Sequence, residues 1–309
     1  MNVSTERASG RSPAILLEGQ KQRQVEYHER EHYDARRPRM VDNRHPLVAW
    51  LNWYRLRTAL ALIGEPLEGR SVLSVCGGDG EEADFLERQG AKTTMIDLSE
   101  AGVRAARLRN PAVRSLRMDG EALSFPDRSF DWVLVRDGLH HLARPLKGLY
   151  EMERVARRGF VLLEGQDSGL VRLLVRLGLG EDWDPAGGYV YRFSRRELLK
   201  VLRAVQTIAR WRISTAWLPP GSDLLAYFPV VRRLIYPAID NRMARPLLTS
   251  PSGRRFLGML FRFVQAVVGR WGNSLIVVAW KKPAAETPAT RGSGDFQRPG
   301  RGPERPGTS

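Results

Sequence analysis

Hydrophobic and polar positions along this chain follow two periods, which predict helices and strands in alternation. Residues from Pro46 to Ile63 carry apolar side chains at helical spacing and predict an amphipathic helix. Short apolar runs beyond it are typical of buried parallel strands. These runs are Ser71 to Val75, Lys92 to Ile96, Val113 to Leu116, Trp132 to Val135 and Phe160 to Glu164. Helical patterns separate most of them, so we expect an α/β fold with a doubly wound, mostly parallel sheet and helices on both faces.

Two further runs, Thr207 to Trp217 and Ser274 to Lys281, predict the closing strands of a seven-stranded sheet. The segment between them is too long for a plain loop and has its own apolar helical patterns, so we expect a cap or lid. The ends are polar or rich in Pro, Gly and Arg and predict disorder. The predicted organisation is a disordered N-terminus over 1–20, a helical lid segment over 21–66, a core over 67–217 and 273–282, a helical cap insertion over 218–272 and a disordered tail over 283–309.

Charge and cysteine content narrow the classes of function. The net charge is +15, but no run of five or six like charges occurs, which favours an arginine-rich surface over a nucleic-acid site. The single cysteine, Cys76, excludes an internal disulfide and a cysteine-based zinc site, and it fits a reducing cytoplasm. No apolar stretch approaches the roughly 18 residues that a membrane-spanning helix needs. We therefore expect a cytoplasmic protein without a metal.

The turn after the first strand is the strongest candidate for chemistry. Glycines there let the backbone approach a ligand closely, and the next helix offers free N–H groups. Gly78, Gly80 and Ala83 match the spacing of a dinucleotide-binding turn, which is weak evidence by itself. Asp97 stands at the end of the second strand, where an acid accepts hydrogen bonds from ribose hydroxyls. The alternative is that Asp97 only caps the following helix.

Five ordered segments resemble class I S-adenosylmethionine-dependent methyltransferases, in the methyltransferase type 11 group that includes ubiquinone and menaquinone biosynthesis enzymes. SVLSVCGGDG, over 71–80, is similar to the family's first motif, V-L-D-V-G-C-G-T-G, and MIDLSE, over 95–100, to its second. MDGEALSFPDRSFD, over 118–131, resembles D-A-E-x-L-P-F-P-D-x-S-F-D and is the most specific stretch. LHHL and YEMERV follow at the family's usual spacings. The resemblance covers residues 71–165 and implies a Rossmann-like fold.

The resemblance also implies S-adenosyl-L-methionine as cofactor and assigns residues to it. Gly78 and Gly80 would flank the methionine part, Asp97 and Leu98 would meet the ribose, Asp119 and Gly120 would lie beside the adenine, and Arg136 and Asp137 would face the methionine end. Two residues of the first motif depart from the family. Ser74 replaces an acid and keeps a hydrogen-bonding oxygen, whereas Cys76 replaces a glycine and fits if its φ stays negative.

Two histidines after the fourth strand are candidates for contact with the methyl acceptor, and two tyrosines before the core are candidates for a lid. His140 and His141 stand at the edge where ligands of such sheets bind, so either is a candidate base or orienting group. The alternative is that one of them caps a turn or packs. Tyr27 and Tyr33 resemble the family's N-terminal lid tyrosines, which would close over the cofactor, with Tyr33 as a cofactor-binding residue; the alternative is that they only pack.

Two helical segments, 168–178 and 254–270, carry arginines on otherwise apolar surfaces. They predict a lid over a hydrophobic acceptor (polyketide-like, aromatic or isoprenoid), at rest against a membrane surface. The alternative is core helices with arginines reaching outward. The stripe of the second segment consists of Phe256, Leu257, Leu260, Phe261, Val264 and Val268. O-, N- and C-methylation remain open.

Three other functions compete with this prediction. A nicotinamide oxidoreductase would use the same glycine turn. A nucleic-acid methyltransferase would need a motif such as N-P-P-Y or D-P-P-Y after the fourth strand, where RDGL stands at 136–139. A non-catalytic scaffold that binds the cofactor would explain the departures at Ser74 and Cys76.

Overall fold

The computed structural model describes residues 13–32, 46–178, 182–183, 188–216, 250–268 and 271–283. Its centre is one sheet of seven strands in the order β3-β2-β1-β4-β5-β7-β6. The strands are β1 (Ser71–Val75), β2 (Lys92–Asp97), β3 (Arg114–Arg117), β4 (Phe130–Arg136), β5 (Ala156–Gly165), β6 (Ile208–Ala216) and β7 (Ser274–Lys281). The first five strands pair in parallel, and β7 runs antiparallel to both β5 and β6. The predicted doubly wound, mostly parallel sheet is confirmed.

Helices cover both faces of this sheet and the entrance to its carboxyl edge. They are α1 (Pro13–Tyr27), α2 (Pro46–Ile63), α3 (Glu81–Arg88), α4 (Glu100–Arg109), α5 (Pro145–Val155), α6 (Gly169–Arg176), α7 (Arg195–Ala204) and α8 (Pro251–Val268). A π-helical turn, His28–His32, extends α1, and a 3-10 turn, Leu139–His141, follows β4. Helix α7 begins with the capping box of Ser194 and Glu197.

The central strands β1, β4 and β7 are largely apolar and buried because both of their faces pack under helices, whereas the edge strands β3 and β6 carry exposed polar residues. Leu73 and Val75 of β1 enter a cluster with Met152 of α5, whereas Val72 enters a second cluster with Leu56 of α2. Successive strand residues point to opposite faces, so both sets are buried only if both faces are covered. This double burial produces the uninterrupted hydrophobic runs in the sequence.

The prediction of disorder over 1–20 is wrong for residues 13–20, which belong to α1. The helical pattern there is weak, and an interaction with the core supports the helix: Lys21 donates to Asp119 across 98 residues of sequence. Such long-range support is invisible to local periodicity. Residues 1–12, most of the insertion (217–249) and the tail from 284 lie outside the described residues, and so does Tyr33.

Helix α6 lies within the predicted helical segment 168–178, and α8 overlaps the predicted helical segment 254–270; their role as a lid stays a prediction. Helix α8 packs against β6. Among the residues that the structure describes, no helix is both long and apolar enough to cross a membrane.

Candidate functional site

The predicted cofactor residues meet at one edge of the sheet. Because β1, β2, β4 and β5 run in parallel, their carboxyl ends point the same way, and the loops that follow them lie together. The turn after β1 contributes residues 76–80, and the loop after β4 contributes residues 137–141. The two loops touch, since a Cβ placed on Gly138 would come within 2.5 Å of the Cβ of Cys76.

The turn after β1 has a backbone that requires glycine. Gly78 and Gly80 have φ angles of 55° and 78°, in the left-handed region. A Cβ on Gly80 would also come within 2.7 Å of the Cβ of Ala106. Gly80 precedes α3 and offers no side-chain cap to the N–H groups at this helix end.

Cys76 takes a conformation that the sequence did not predict. Its φ is 52°, so the expectation of a negative φ is wrong. Cys76 stands where the family has glycine, and its backbone has the left-handed conformation that glycine adopts freely. For a residue with a side chain, this conformation costs about 1–2 kcal/mol. Burial raises the pKa of Cys76 well above its usual value, and the charges of Asp97 and Glu164 add to that shift. A thiol that stays protonated is a poor nucleophile, which favours a structural role.

Ser74 and Leu98 are two further predicted cofactor residues, and both have contacts within the protein. Ser74 is buried in β1, and its Oγ would lie 3.1 Å from a Cβ on Gly77. The carbonyl of Leu98 accepts a hydrogen bond from Nε of Arg117 at 3.1 Å. Both residues lie at the predicted edge, and their contacts with a cofactor stay a prediction.

Asp97 connects the end of β2 to the glycine turn. Its Oδ2 accepts from the backbone N–H of Gly78 at 2.9 Å, and its Oδ1 accepts from that of Ser99 at 2.8 Å. Burial raises the pKa of Asp97, and the two backbone donors and the charge of His141 offset that shift only in part. Each carboxylate oxygen keeps a second lone pair, so two ribose hydroxyls can still donate to it.

Asp119 and Gly120 follow β3 and lie against the same turn. Oδ1 of Asp119 accepts from the backbone N–H of Glu121, and Oδ2 accepts from Nζ of Lys21 at 2.5 Å. Gly120 is buried, and a Cβ there would come within 3.4 Å of Sγ of Cys76. The predicted adenine-side residues are therefore next to the first motif, beneath helix α1.

Arg136 and Asp137 form ion pairs with the surrounding helices. Arg136 donates to Glu82 at 2.5 Å, and Asp137 forms a two-pronged pair with Arg55 of α2. Burial opposes the charge of Arg136, but Glu82 and Asp137 outweigh it and raise its pKa. Burial likewise opposes the charge of Asp137, but Arg55 and Arg136 hold its pKa below the usual value. These pairs fix the methionine side of the predicted site.

The two histidines after β4 have different surroundings. Nδ1 of His140 lies 2.8 Å from Oε2 of Glu164. The ring of His141 meets the ring of His28 edge-on at 5.2 Å, and the ring of Tyr27 meets that of His28 at 5.5 Å. His141 is thus part of an aromatic group with the N-terminal segment, whereas His140 is bound to the core.

Four charged residues at this edge were missed by the sequence analysis: Lys21, Arg55, Glu121 and Glu164. Glu121 has no exposed side-chain surface and accepts from both the backbone N–H and Nε of Arg144. Glu164 ends an otherwise apolar run, FVLLE, in β5. The sequence signal for Glu164 was a single acid at the carboxyl end of a buried strand. A carboxylate is buried only where hydrogen bonds or charges compensate for its loss of water.

The charges present fit a cationic cofactor with a ribose. Asp97, Asp119, Glu121 and Glu164 all lie close enough to raise the pKa of Cys76, so four carboxylates lie around the turn. Two of them, Asp119 and Glu121, are paired with Lys21, whereas Asp97 accepts, among the described residues, only from N–H groups of the backbone. S-adenosylmethionine carries a positive sulfonium and a positive ammonium group, which such a field stabilises. In the predicted site, Asp97 would supply the acceptor for the ribose, and the glycine turn would supply space for close approach.

Comparisons with known proteins agree with this geometry. Residues 73–163 match the family model described as a methyltransferase domain. A demethylmenaquinone methyltransferase from Renibacterium salmoninarum is 32% identical over 100 residues, which is 32% of this chain and 42% of that protein. A phthiotriol/phenolphthiotriol dimycocerosates methyltransferase from Mycobacterium tuberculosis is 36% identical over 118 residues, which is 37% of this chain and 42% of that protein. The chain thus matches about two fifths of the length of these curated relatives.

A solved structure shares the fold at low sequence identity. Phosphoethanolamine N-methyltransferase 2 from Haemonchus contortus, in complex with S-adenosyl-L-methionine, superposes with a TM-score of 0.50 and 14% identity over 84% of this chain and 60% of that one. This likeness supports the fold alone, and the match to the family model is confined to residues 73–163. Residues 73–163 of this chain are similar to the methyltransferase domain of that family.

Proposed function

We propose that this protein transfers the methyl group of S-adenosylmethionine to a hydrophobic small molecule. The observation that carries the proposal is the hydrogen bond between Gly78 and Asp97. It couples the turn that would flank the methionine to the acid that would hold the ribose, so both parts of the cofactor are positioned by one rigid unit. The bound cofactor would supply a methyl group that its sulfonium already activates, and the protein's residues would orient the two reactants and exclude water.

The surroundings of the turn support a transferase over a nicotinamide enzyme. Four carboxylates lie near Cys76, and Asp119 and Gly120 follow β3 where the family places the adenine. A cationic sulfonium is stabilised by this charge, whereas the pyrophosphate of a dinucleotide would be repelled by it. The glycine spacing alone fits either S-adenosylmethionine or a nicotinamide dinucleotide, and the nearby carboxylates favour S-adenosylmethionine.

The acceptor side supports a hydrophobic molecule. Helix α6 follows β5, and it leaves Leu173 about half exposed; Leu177 just beyond it is also exposed. On α8 four apolar side chains are 52–68% exposed: Phe256, Met259, Phe263 and Val267. Their spacing of three and four residues places them on one face. An apolar face of this size favours contact with an oily molecule over full hydration.

The segments that flank α6 and α8 are hydrogen-bonded to each other near the carboxyl end of β5. The Oγ of Ser168, which caps α6, donates to the carbonyl of Trp271 at 3.3 Å, and the backbone of Gln166 donates to that of Asn273 at 2.8 Å. The chain leaving α8 therefore returns beside the carboxyl end of β5. An acceptor bound between α6 and α8 would be near the cofactor's methyl group.

The names of the relatives support the same class of acceptor. One is named for demethylmenaquinone and the other for phthiotriol and phenolphthiotriol dimycocerosates, a quinone and lipids. We propose a polyketide-like, aromatic or isoprenoid acceptor for this chain as well.

A membrane surface is the proposed place of encounter with such an acceptor. Arg255 and Arg262 are exposed on α8 beside the apolar face, and Arg172 and Arg176 are exposed on α6. An apolar face bordered by arginines is suited to the boundary between lipid headgroups and acyl chains, where anionic lipids attract the cations. The net charge of +15 acts in the same direction.

A transfer assay tests the proposed function directly. The protein is incubated with methyl-labelled S-adenosylmethionine and a panel containing naphthols, a reduced isoprenoid quinone and long-chain hydroxylated polyketides. We expect label in the organic extract, and strongly reduced label with the Asp97→Ala variant. Label in added RNA would instead favour the nucleic-acid alternative. Cofactor binding without transfer to any class would favour the scaffold.

A further inference from the structure

Gln24 and Gln166 are two buried amides whose side-chain oxygens accept no hydrogen bond from any residue that the structure describes. The two residues are 6% and 5% exposed, and both Oε1 atoms are buried. A buried oxygen without a donor lowers the stability of a fold, so nearly all buried polar groups in proteins are paired. These two amides therefore need an explanation other than folding stability.

Gln24 lies on the face of α1 that contacts the carboxyl edge of the sheet. Lys21 is three residues before it and His28 is four residues after it, so the three side chains share one face of the helix. Lys21 donates to Asp119 at 2.5 Å, and the ring of His28 meets the ring of His141 at 5.2 Å. Gln24 is thus placed between the loop that follows β3 and the loop that follows β4.

Gln166 lies directly beyond the carboxyl end of β5. Its backbone N–H donates to the carbonyl of Asn273 at 2.8 Å and so continues the pairing of β5 with the chain before β7. Side chains alternate between the two faces along a strand, so Gln166 and Glu164 share a face. Glu164 accepts from the backbone N–H groups of Gly138 and Leu139 at 2.8 and 2.7 Å. Gln166 is therefore on the side of the sheet where the loop after β4 lies.

One segment of the chain, residues 188–193, connects the two amides. At its start, a Cβ on Gly188 would come within 3.4 Å of Nε2 of Gln24. At its end, Phe193 forms a β-bridge with Gln166. Five residues of extended chain span at most about 17 Å. Helix α1, this segment, the end of β5 and the loop after β4 therefore border one common region beside the proposed cofactor site.

We propose that Gln24 and Gln166 bind the polar end of the methyl acceptor, and that their Oε1 atoms accept hydrogen bonds from two hydroxyl groups of that molecule. This inference rests on the proposed function and narrows its acceptor to a hydrophobic diol, aromatic or polyketide-like. An amide oxygen can only accept, so an ether, a ketone or a hydrocarbon at the same place would leave it unpaired. The two glutamines determine specificity and take no part in the transfer itself.

The apolar remainder of such an acceptor has a surface beside Gln166. Ser168, two residues further along the chain, caps α6, and Leu173 of that helix is about half exposed. A molecule with its hydroxyl groups at the two amides can therefore extend its apolar part along α6. A site that pairs buried polar groups rejects analogues that lack the matching donors far more strongly than an apolar surface does.

Helix α1 also controls access to these amides. Both oxygens are buried, so an acceptor reaches them only when α1 moves from the edge. Lys21 holds the helix there through Asp119 and Glu121, at 2.5 and 3.4 Å. The unpaired oxygens weaken the arrangement without an acceptor, and donors from the acceptor would stabilise the arrangement in which α1 has returned.

Two probes that share a ring system test the proposal: 2,7-dihydroxynaphthalene and 2,7-dimethoxynaphthalene. Both have two oxygens, but only the diol can donate. Each is titrated calorimetrically into protein saturated with S-adenosylhomocysteine, which prevents turnover. Each hydrogen bond is worth about a factor of ten, so the wild type should bind the diol roughly tenfold to hundredfold more tightly than the diether. Gln24→Met and Gln166→Met should each reduce that preference by roughly tenfold, with unchanged affinity for the diether and for S-adenosylhomocysteine.

Thermal unfolding separates this role from a structural one. Methionine is close to glutamine in size and replaces an unpaired buried oxygen with an apolar group, so both variants should have a Tm equal to or above that of the wild type. A residue that only supports the fold would show the opposite result, a lower Tm and weaker binding of both probes alike.

The matched control is Gln22→Met, because Gln22 is exposed on the same helix, where its Nε2 donates to Glu26 at 3.1 Å. It should keep both the preference for the diol and the Tm of the wild type. Equal affinity of the wild type for the two probes, binding of neither, or a preference that both methionine variants retain would overturn the proposal. Failure of the wild type to bind S-adenosylmethionine or S-adenosylhomocysteine would instead refute the proposed function.

Discussion

The proposed cofactor side and the proposed acceptor surface of this protein are built in opposite ways. On the cofactor side, polar groups are tied to the backbone: Asp97 accepts from Gly78 and Ser99 within a few ångströms of the glycine turn. On the acceptor side, α6 and α8 present apolar side chains beside exposed arginines, and Phe263 is 68% exposed. The first surface can recognise one ligand by fixed hydrogen bonds, whereas the second can accept many oily shapes. The difference assigns specificity to the fixed polar side and tolerance of different shapes to the apolar surface.

Among the variants, Asp97→Ala is expected to have the largest effect, and it tests the cofactor side through the affinity for S-adenosylmethionine. The change removes the proposed ribose acceptor and leaves bound donors unpaired, at a cost of about 1–3 kcal/mol. We expect the Kd for S-adenosylmethionine to rise roughly tenfold to hundredfold in calorimetric titration. Asp97→Asn, which keeps one acceptor oxygen, should lose less. An unchanged Kd in the folded alanine variant would show that Asp97 only caps the turn.

A smaller effect, confined to the other surface, is expected from Phe263→Ser. Full burial of a phenylalanine in lipid is worth about 1.5–3 kcal/mol, so association with vesicles of phosphatidylglycerol and phosphatidylcholine should weaken by roughly tenfold or more in co-sedimentation. Because the side chain is exposed, the free energy of unfolding should change by less than about 0.5 kcal/mol.

The matched control for that variant is Leu108→Ser, since Leu108 is 86% exposed on α4 and belongs to no apolar stripe. It should leave vesicle binding unchanged. Equal loss in both variants, or a loss of stability in Phe263→Ser, would remove the argument for a lipid-facing surface and favour packing of α8 in the core.

The smallest effect is expected from Cys76→Gly, and it concerns the one strained residue of the cofactor side. Glycine relieves about 1–2 kcal/mol of left-handed strain, but its greater freedom in the unfolded chain offsets about 0.5–1 kcal/mol of that gain. Thermal unfolding should therefore show a variant at least as stable as the wild type. Cys76→Val, with a branched side chain at the same φ, should be less stable. A clear loss of stability in the glycine variant would mean that the thiol's packing outweighs the strain.

Local motifs predicted most of the fold and the residues that the structure brings together at the carboxyl edge of the sheet. The strand that ends at Val75, the turn with Gly78 and Gly80, and Asp97 all lie within some thirty residues and follow short-range rules of period and turn geometry. The helix over 13–27 was not predicted, because its support from Asp119 comes through Lys21 and a distant part of the chain.

The supporting charges could not be predicted for the same reason. Glu164 and His140 are 24 residues apart, and Arg55 and Asp137 are 82 residues apart, so only the folded sheet brings each pair together. The φ of Cys76 depends on the turn that its neighbours require rather than on its own preference. On α8 the predicted stripe included Phe256, which is exposed, and the side chain of Phe261 lies outside the described residues. Whether this helix acts as a lid stays a prediction.

The most direct test of the account is a pair of calorimetric titrations of the wild-type protein, one with S-adenosylmethionine and one with NAD. The glycine turn alone would accept either ligand, whereas the carboxylates that surround it favour the sulfonium and oppose the pyrophosphate. The account predicts saturable binding of S-adenosylmethionine at one site per chain and no heat of binding with NAD. Binding of NAD, or no binding of S-adenosylmethionine, would contradict it.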